Sequence, residues 1–130
     1  MREILFRGKD EGTKKWVQGY YLKGVTRHCI TYSLAYYPRY DVIPETVGQF
    51  TGLTDKNGTK IFEGDIHCNE NNNKKFVVKF GHFYDEELLD DMYGWYMEDN
   101  WGNRFGLNGS ECEYANIIGN IYDNPELLGG

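Results

Sequence analysis

The eighteen residues from Gln49 to Ile66 constrain the fold more than any other stretch of the chain. Asn57-Gly58 sits between two runs with apolar residues at alternating positions. Both residues accept positive φ, so the pair is a strong short-range signal for a hairpin turn. Further on, Gly64-Asp65 forms a corner that feeds a strand through Cys68. The stretch specifies turns, strands and corners, and it predicts a β architecture with no catalytic apparatus of its own.

The rest of the chain agrees with that reading. At 130 residues it has the size of one domain. A chain of this length buries roughly two thirds of its unfolded surface and needs no disulfide or metal to fold. Eleven tyrosines, seven phenylalanines and three tryptophans suit half-buried strand faces. The net charge of -6 argues against non-specific binding to phosphate backbones. Cys29, Cys68 and Cys112 are odd in number and widely spaced, which implies no disulfide framework and a reducing compartment. The short apolar run at Ile4 to Phe6 predicts no signal peptide, and no window is apolar for long enough to span a membrane. The expected location is cytoplasmic.

Residues 2–7 read as a strand, 8–15 as a polar turn and 16–22 as its returning partner. Residues 24–37 read as one or two further strands, and Pro38 and Pro44 bracket an irregular connection. Lys75 to Phe80 alternates clearly, with Phe76, Val78 and Phe80 on one face. Asp85 to Met92 has the one helix-favouring composition and predicts one or two helical turns. Residues 94–105 read as an aromatic hairpin and 113–121 as a last strand. At the end, Asn124 and Pro125 can start a terminal helical turn.

Three ordered blocks carry a family resemblance. They are Arg2-Glu3-Ile4-Leu5-Phe6-Arg7, the stretch from Gln49-Phe50-Thr51-Gly52-Leu53 to Glu63-Gly64-Asp65-Ile66, and Ile118-Gly119-Asn120-Ile121-Tyr122-Asp123-Asn124-Pro125-Glu126-Leu127-Leu128. Together they closely resemble the YopX family of bacteriophage and prophage proteins, across nearly the whole chain. The resemblance implies a mainly β protein with an SH3-like barrel, additional N-terminal strands and at most one or two short helices. It also implies a phage or prophage origin and self-association, and it carries no catalytic residues. The expected organisation is a single domain over 1–130, with N-terminal strands in 1–45 and the barrel in 46–130. Residues 84–109, acidic and aromatic, match no family pattern and read as an insert within the barrel.

Several motifs suggest chemistry, and each has a structural alternative. Asp55-Lys56-Asn57-Gly58 with Glu63 superficially resembles a calcium loop. Its glycine falls at the fourth position and its glutamate at the ninth, where an EF-hand needs the sixth and twelfth, so the hairpin reading is favoured. His28-Cys29 and His67-Cys68 offer zinc-ligand types, but adjacent strand residues point to opposite faces. Ser33 and Ser110 lie in no nucleophile elbow, and Cys68 beside His67 is not a dyad by adjacency. Asp85, Glu86, Glu87, Asp90 and Asp91 would share helix faces, and could hold magnesium or present a negative surface to a basic partner. Trp95, Tyr96, Trp101 and Phe105, with Arg104, are either hairpin core or a platform for stacking bases.

The sequence therefore predicts a non-enzymatic, homo-oligomeric interaction module with no cofactor, no metal and no membrane contact. Its candidate partner-binding residues are Asp85, Glu86, Glu87, Asp90, Asp91, Trp95, Tyr96, Trp101 and Arg104. Its partners would be a second copy and an unknown host or phage protein. The alternatives are a single-stranded nucleic-acid-binding accessory protein and a metal-dependent enzyme acting on nucleotides or nucleic acid.

Overall fold

The computed structural model describes residues 5–32 and 38–129. The start of the first expected strand (Arg2, Glu3, Ile4), the end of the 24–37 segment and Ser33 lie outside the described residues, as does the side chain of Ser110. The chain divides into two compact units, Met1–Phe50 and Thr51–Gly130. The protein is mainly β, and its strands are antiparallel throughout.

The first unit contains β1 (Phe6–Lys9), β2 (Trp16–Lys23), β3 (His28–Thr31), β4 (Arg39–Asp41) and the start of β5 (Gly48–Thr54). They pair in the order β4-β3-β2-β1-β5. Alternation along β2 explains the packing: Val17 and Tyr21 face inward while Gln18 and Tyr20 are exposed. Val17, Ile30 and Val42 form the core, with Phe6, Tyr21, Tyr40 and Val47 packed around it. Gly19 is required by a close approach, since a Cβ there would lie 2.2 Å from the Thr31 carbonyl oxygen. Two expectations need correction. The first strand runs through Gly8 to Lys9, which the sequence reading placed in the turn. The segment between Pro38 and Pro44 holds β4, paired to β3 through Cys29–Thr31.

The second unit continues β5 into a hairpin with β6 (Lys60–Phe62). It then forms a five-stranded sheet from β7 (Asp65–Asn69), β8 (Lys75–Asp85), β9 (Asp90–Glu98), β10 (Arg104–Gly106) and β11 (Ala115–Asn120). The order is β10-β9-β8-β7-β11, so the sheet is open, with β10 and β11 at its edges. This supports the mainly β class without a closed barrel. A single helical turn, α1 (Gly109–Cys112), precedes β11, and a 3-10 turn covers Pro125–Leu127. Ile61, Val78 and Cys112 form the core here, with Leu53, Trp95, Leu107 and Ile117 around them.

Local chemistry fixes the turns. Gly64 adopts φ +91° between β6 and β7, where the buried Asp65 carboxylate accepts the Phe62 amide at 2.7 Å. Asn124 occupies the cap position of the last turn, but its side chain makes no cap. Its Oδ1 instead accepts the Asn120 amide at 3.3 Å.

Candidate functional site

β8 and β9 pair from Val77↔Glu98 to Asp85↔Asp90, but their neighbours do not follow them to the end. β7 pairs with β8 only as far as Val77, and β10 pairs with β9 only as far as Tyr96. Among the described residues the ladder over 81–94 is two-stranded, and this ribbon bonds back to β10 at its end, where the Arg104 carbonyl accepts the Glu86 amide at 2.9 Å. Phe76, Val77 and Val78 are buried on both faces near its base, and exposure begins at Phe80. Gly81 and Gly94 lie opposite each other with φ +143° and +153°.

Residues directly opposite on antiparallel strands share a face. One face of the ribbon therefore carries Phe80 and Trp95, then His82 and Tyr93, then Tyr84 and Asp91. Phe80 sits between two aromatic rings, 4.8 Å from Trp95 and 5.5 Å from Tyr93, both edge-on. His82 Nε2 lies 3.3 Å from Asp91 Oδ1. Tyr93 is 74% exposed and Phe80 47%. At the tip, Leu88 and Leu89 are 63% and 69% exposed, and Leu89 holds φ +56°. The other face carries Phe83, which is buried and stacks on Tyr96 at 4.6 Å.

The helix expected over Asp85 to Met92 does not form. Asp85 ends β8, residues 86–89 turn, and Asp90 starts β9. Eight residues are too few to hold a helix alone, and the Asp85 carboxylate captures the local amides. Its Oδ1 accepts from Glu87 and Leu88 at 2.8 and 2.9 Å, and its Oδ2 accepts from Gly106 at 2.7 Å. Burial opposes ionisation there, but the amides of Leu88, Gly106 and Glu87 outweigh it and hold the carboxyl below the usual range. Asp85 is thus a structural anchor that joins the tip to β10. Glu86, Glu87, Asp90 and Asp91 remain exposed around the two leucines, without the helical spacing expected of them.

The proposed aromatic set separates in the same way. Trp95 is half-buried on the ribbon face and reaches the core beside Ile61 and Val78. Tyr96 belongs to the buried face, and Phe105 packs edge-on against Phe76 at 6.2 Å. Trp101 is exposed alone in the β9–β10 turn. The Arg104 Nε donates to Glu98 at 2.7 Å, and Lys79 donates to the other oxygen of the same carboxylate at 2.7 Å. Lys79 first, and Arg104 with it, hold the Glu98 carboxyl below its usual range against the effect of burial.

The sequence reading passed over Phe80, His82, Tyr84, Leu88, Leu89 and Tyr93 as site residues. Alternation does continue past Phe80 through His82 and Tyr84. Gly81 and Gly94 stand at equal distances from a central turn, and this mirror pattern marks a long hairpin.

The remaining candidates have structural roles. Asp55 is buried at the β5–β6 turn, where its Oδ1 accepts the Asn57 and Thr59 amides at 2.8 and 2.9 Å. This is the expected hairpin tip. His28 Nδ1 lies 2.5 Å from the Tyr21 hydroxyl, and the Cys29 thiol donates to Asp41 at 3.2 Å. His67 is buried in β7, stacked on Phe76 at 5.2 Å, and neither ring nitrogen has a hydrogen-bond partner among the described residues. Burial pushes its pKa down to about 4. Among the described residues, no three His, Cys, Asp or Glu side chains gather to hold a metal ion, and no helix is long and apolar enough to cross a membrane.

Fold and site together define a mainly β protein of two units, the second of which carries an aromatic, acid-tipped ribbon. The family model described as YopX protein matches residues 5–129, and the chain belongs to that family. No curated protein matches the chain.

Proposed function

We propose that this chain is a non-enzymatic interaction module that self-associates, encoded by a phage or prophage and active in the cytoplasm of a bacterial host. The family resemblance supports the origin and the compartment. The observation that carries the binding role is the ribbon and its tip, where Phe80, Tyr93, Leu88 and Leu89 are all more than 40% exposed. Exposed apolar surface concentrated in this way marks an interaction site. The second unit is read as an SH3-type barrel left open between its edge strands, and part of its strand order fits that reading. Its strands run as an antiparallel meander from β7 to β10, and β11, entered through one helical turn, returns beside β7.

Sedimentation velocity over a wide concentration range tests the reading. The protein as it stands should self-associate, and Leu88→Ser with Tyr93→Ser should shift it towards the monomer. A protein that stays monomeric throughout would refute self-association.

A second reading, single-stranded nucleic-acid binding, is favoured by one observation, the Trp95–Phe80–Tyr93 ring cluster that bases could stack on. The exposed carboxylates of Glu86, Glu87, Asp90 and Asp91 on the same hairpin oppose phosphate. Binding of an oligonucleotide at low salt, lost in Phe80→Ala, would support this reading, and absence of binding there would end it.

A further inference from the structure

We propose that the ribbon of one copy docks on the β2–β3 turn of a second copy, head to tail; this rests on the self-association reading above. The surface is the exposed ribbon face and its tip, and charge identifies its occupant. Residues 1–50 carry eight Lys or Arg and five Asp or Glu, a net charge of +3. Residues 51–130 carry six and fifteen, a net charge of -9. One chain thus contains both partners of an electrostatic pair.

The two hairpin ends match in detail. At the ribbon tip, Leu88 and Leu89 stand between Glu86 and Glu87 on one side and Asp90 and Asp91 on the other, all exposed. At the β2–β3 turn, fully exposed Val25 stands between Lys23 and Arg27, which are also exposed. An apolar centre with an anionic rim therefore meets an apolar centre with a cationic rim. Apolar contacts at the middle of an interface supply affinity, and rim charges steer encounter and fix register. Arg27 already donates to Asp41 at 2.8 Å, but a guanidinium has five N–H donors and keeps several for a second carboxylate.

A symmetric ribbon-to-ribbon contact is disfavoured by the same charges, because it would bring two sets of four exposed carboxylates together. The head-to-tail arrangement joins unlike surfaces, so a pair of copies retains one free end of each kind, one on each copy. Such a contact closes into a ring or extends as a filament.

Complementary charge reversal tests the proposal by sedimentation velocity. Variant one carries Glu86→Lys and Glu87→Lys; variant two carries Lys23→Glu and Val25→Glu, which leaves the Arg27–Asp41 pair intact. The unaltered protein should associate at low salt and dissociate as salt rises, since its rim charges are screened within about 10 Å at 0.1 M salt. Each variant alone should sediment as a monomer, and an equal mixture of the two should recover a one-to-one complex. Recovery on mixing cannot come from misfolding of either variant. If the unaltered protein associates and both variants associate equally well, the docking proposal is overturned while self-association stands. If both variants are monomeric and their mixture does not recover, the head-to-tail geometry is overturned. If the unaltered protein is monomeric at every concentration and salt, both proposals fail.

Discussion

The Asp55 carboxylate accepts the backbone amide of Ile117 at 3.0 Å, joining the β5–β6 turn to β11 across 62 positions of sequence. With the Asn57 and Thr59 amides on its other oxygen, this one buried side chain satisfies three donors. Asp55→Ala should therefore cost about 3 kcal/mol, mainly through the Ile117 amide, because an amide shielded from water and left without an acceptor costs roughly 1–3 kcal/mol while the exposed Asn57 and Thr59 can turn to water. Asp55→Asn should cost less. Its carbonyl can keep the two turn amides, while its NH₂ group would face the Ile117 N–H. Equilibrium denaturation of the two variants checks the order, and equal losses would contradict it.

His67 should make stability depend on pH in a window set by its two pKa values. Burial lowers its pKa from 6.5 to about 4 in the folded protein. The unfolded chain then binds more protons between those values, so stability is full above pH 6.5 and falls as pH drops towards 4. The depression corresponds to about 3 kcal/mol at the acid end. His67→Leu fills similar space without titrating, so the difference in stability between the two proteins should grow steadily over this window. Taking the difference cancels the carboxylates, whose lowered pKa values act mainly below it. A constant difference from pH 7 to pH 4 would show that His67 is not buried neutral.

Gly19 and the Gly81–Gly94 pair should respond differently to the same substitution. A Cβ at Gly19 would stand 2.2 Å from a backbone oxygen of β3, which has no side-chain freedom to move away. A Cβ at Gly81 or Gly94 meets nothing within 4 Å, so only the positive φ opposes it. Gly81→Ala should cost roughly 1–3 kcal/mol of backbone strain. Gly19→Ala should cost more, since overpacking adds another 1–3 kcal/mol or so. Thermal unfolding distinguishes them, and a Gly19→Ala protein as stable as Gly81→Ala would refute the close approach.

Local turn chemistry was legible in the sequence because it acts between near neighbours. Asn57-Gly58, Gly64-Asp65 and Asn124-Pro125 each predicted a turn that the chain makes. The β8–β9 tip was not legible because its outcome depends on distant residues. Glu86, Glu87, Leu88 and Leu89 are good helix formers, yet the Gly106 amide and the Arg104 carbonyl, which accepts the Glu86 amide at 2.9 Å, tie the tip to β10. Alternation placed Phe76, Val78 and Phe80 on one face, but it could not show where β7 stops. That endpoint buries Val78 completely and leaves Phe80 nearly half exposed. The candidate partner-binding residues therefore divide between buried and exposed positions. Asp85 and Tyr96 are buried, and the exposed groups lie between and beside them.

Leu89 should trade stability against association. Its φ of +56° is a left-handed conformation that costs a residue with a Cβ about 1–2 kcal/mol, and its side chain is 69% exposed, so burial returns little. Glycine adopts this conformation freely. Leu89→Gly should raise stability by about 1 kcal/mol while weakening self-association, through loss of an apolar contact at the ribbon tip. Leu89→Ala provides the control, since it removes most of the apolar surface but keeps the positive φ. It should weaken association to a similar degree without the gain in stability. Denaturant unfolding and sedimentation of the three proteins check both effects. If Leu89→Gly stabilises the fold and leaves association unchanged, the tip leucine is a local strain with no part in docking.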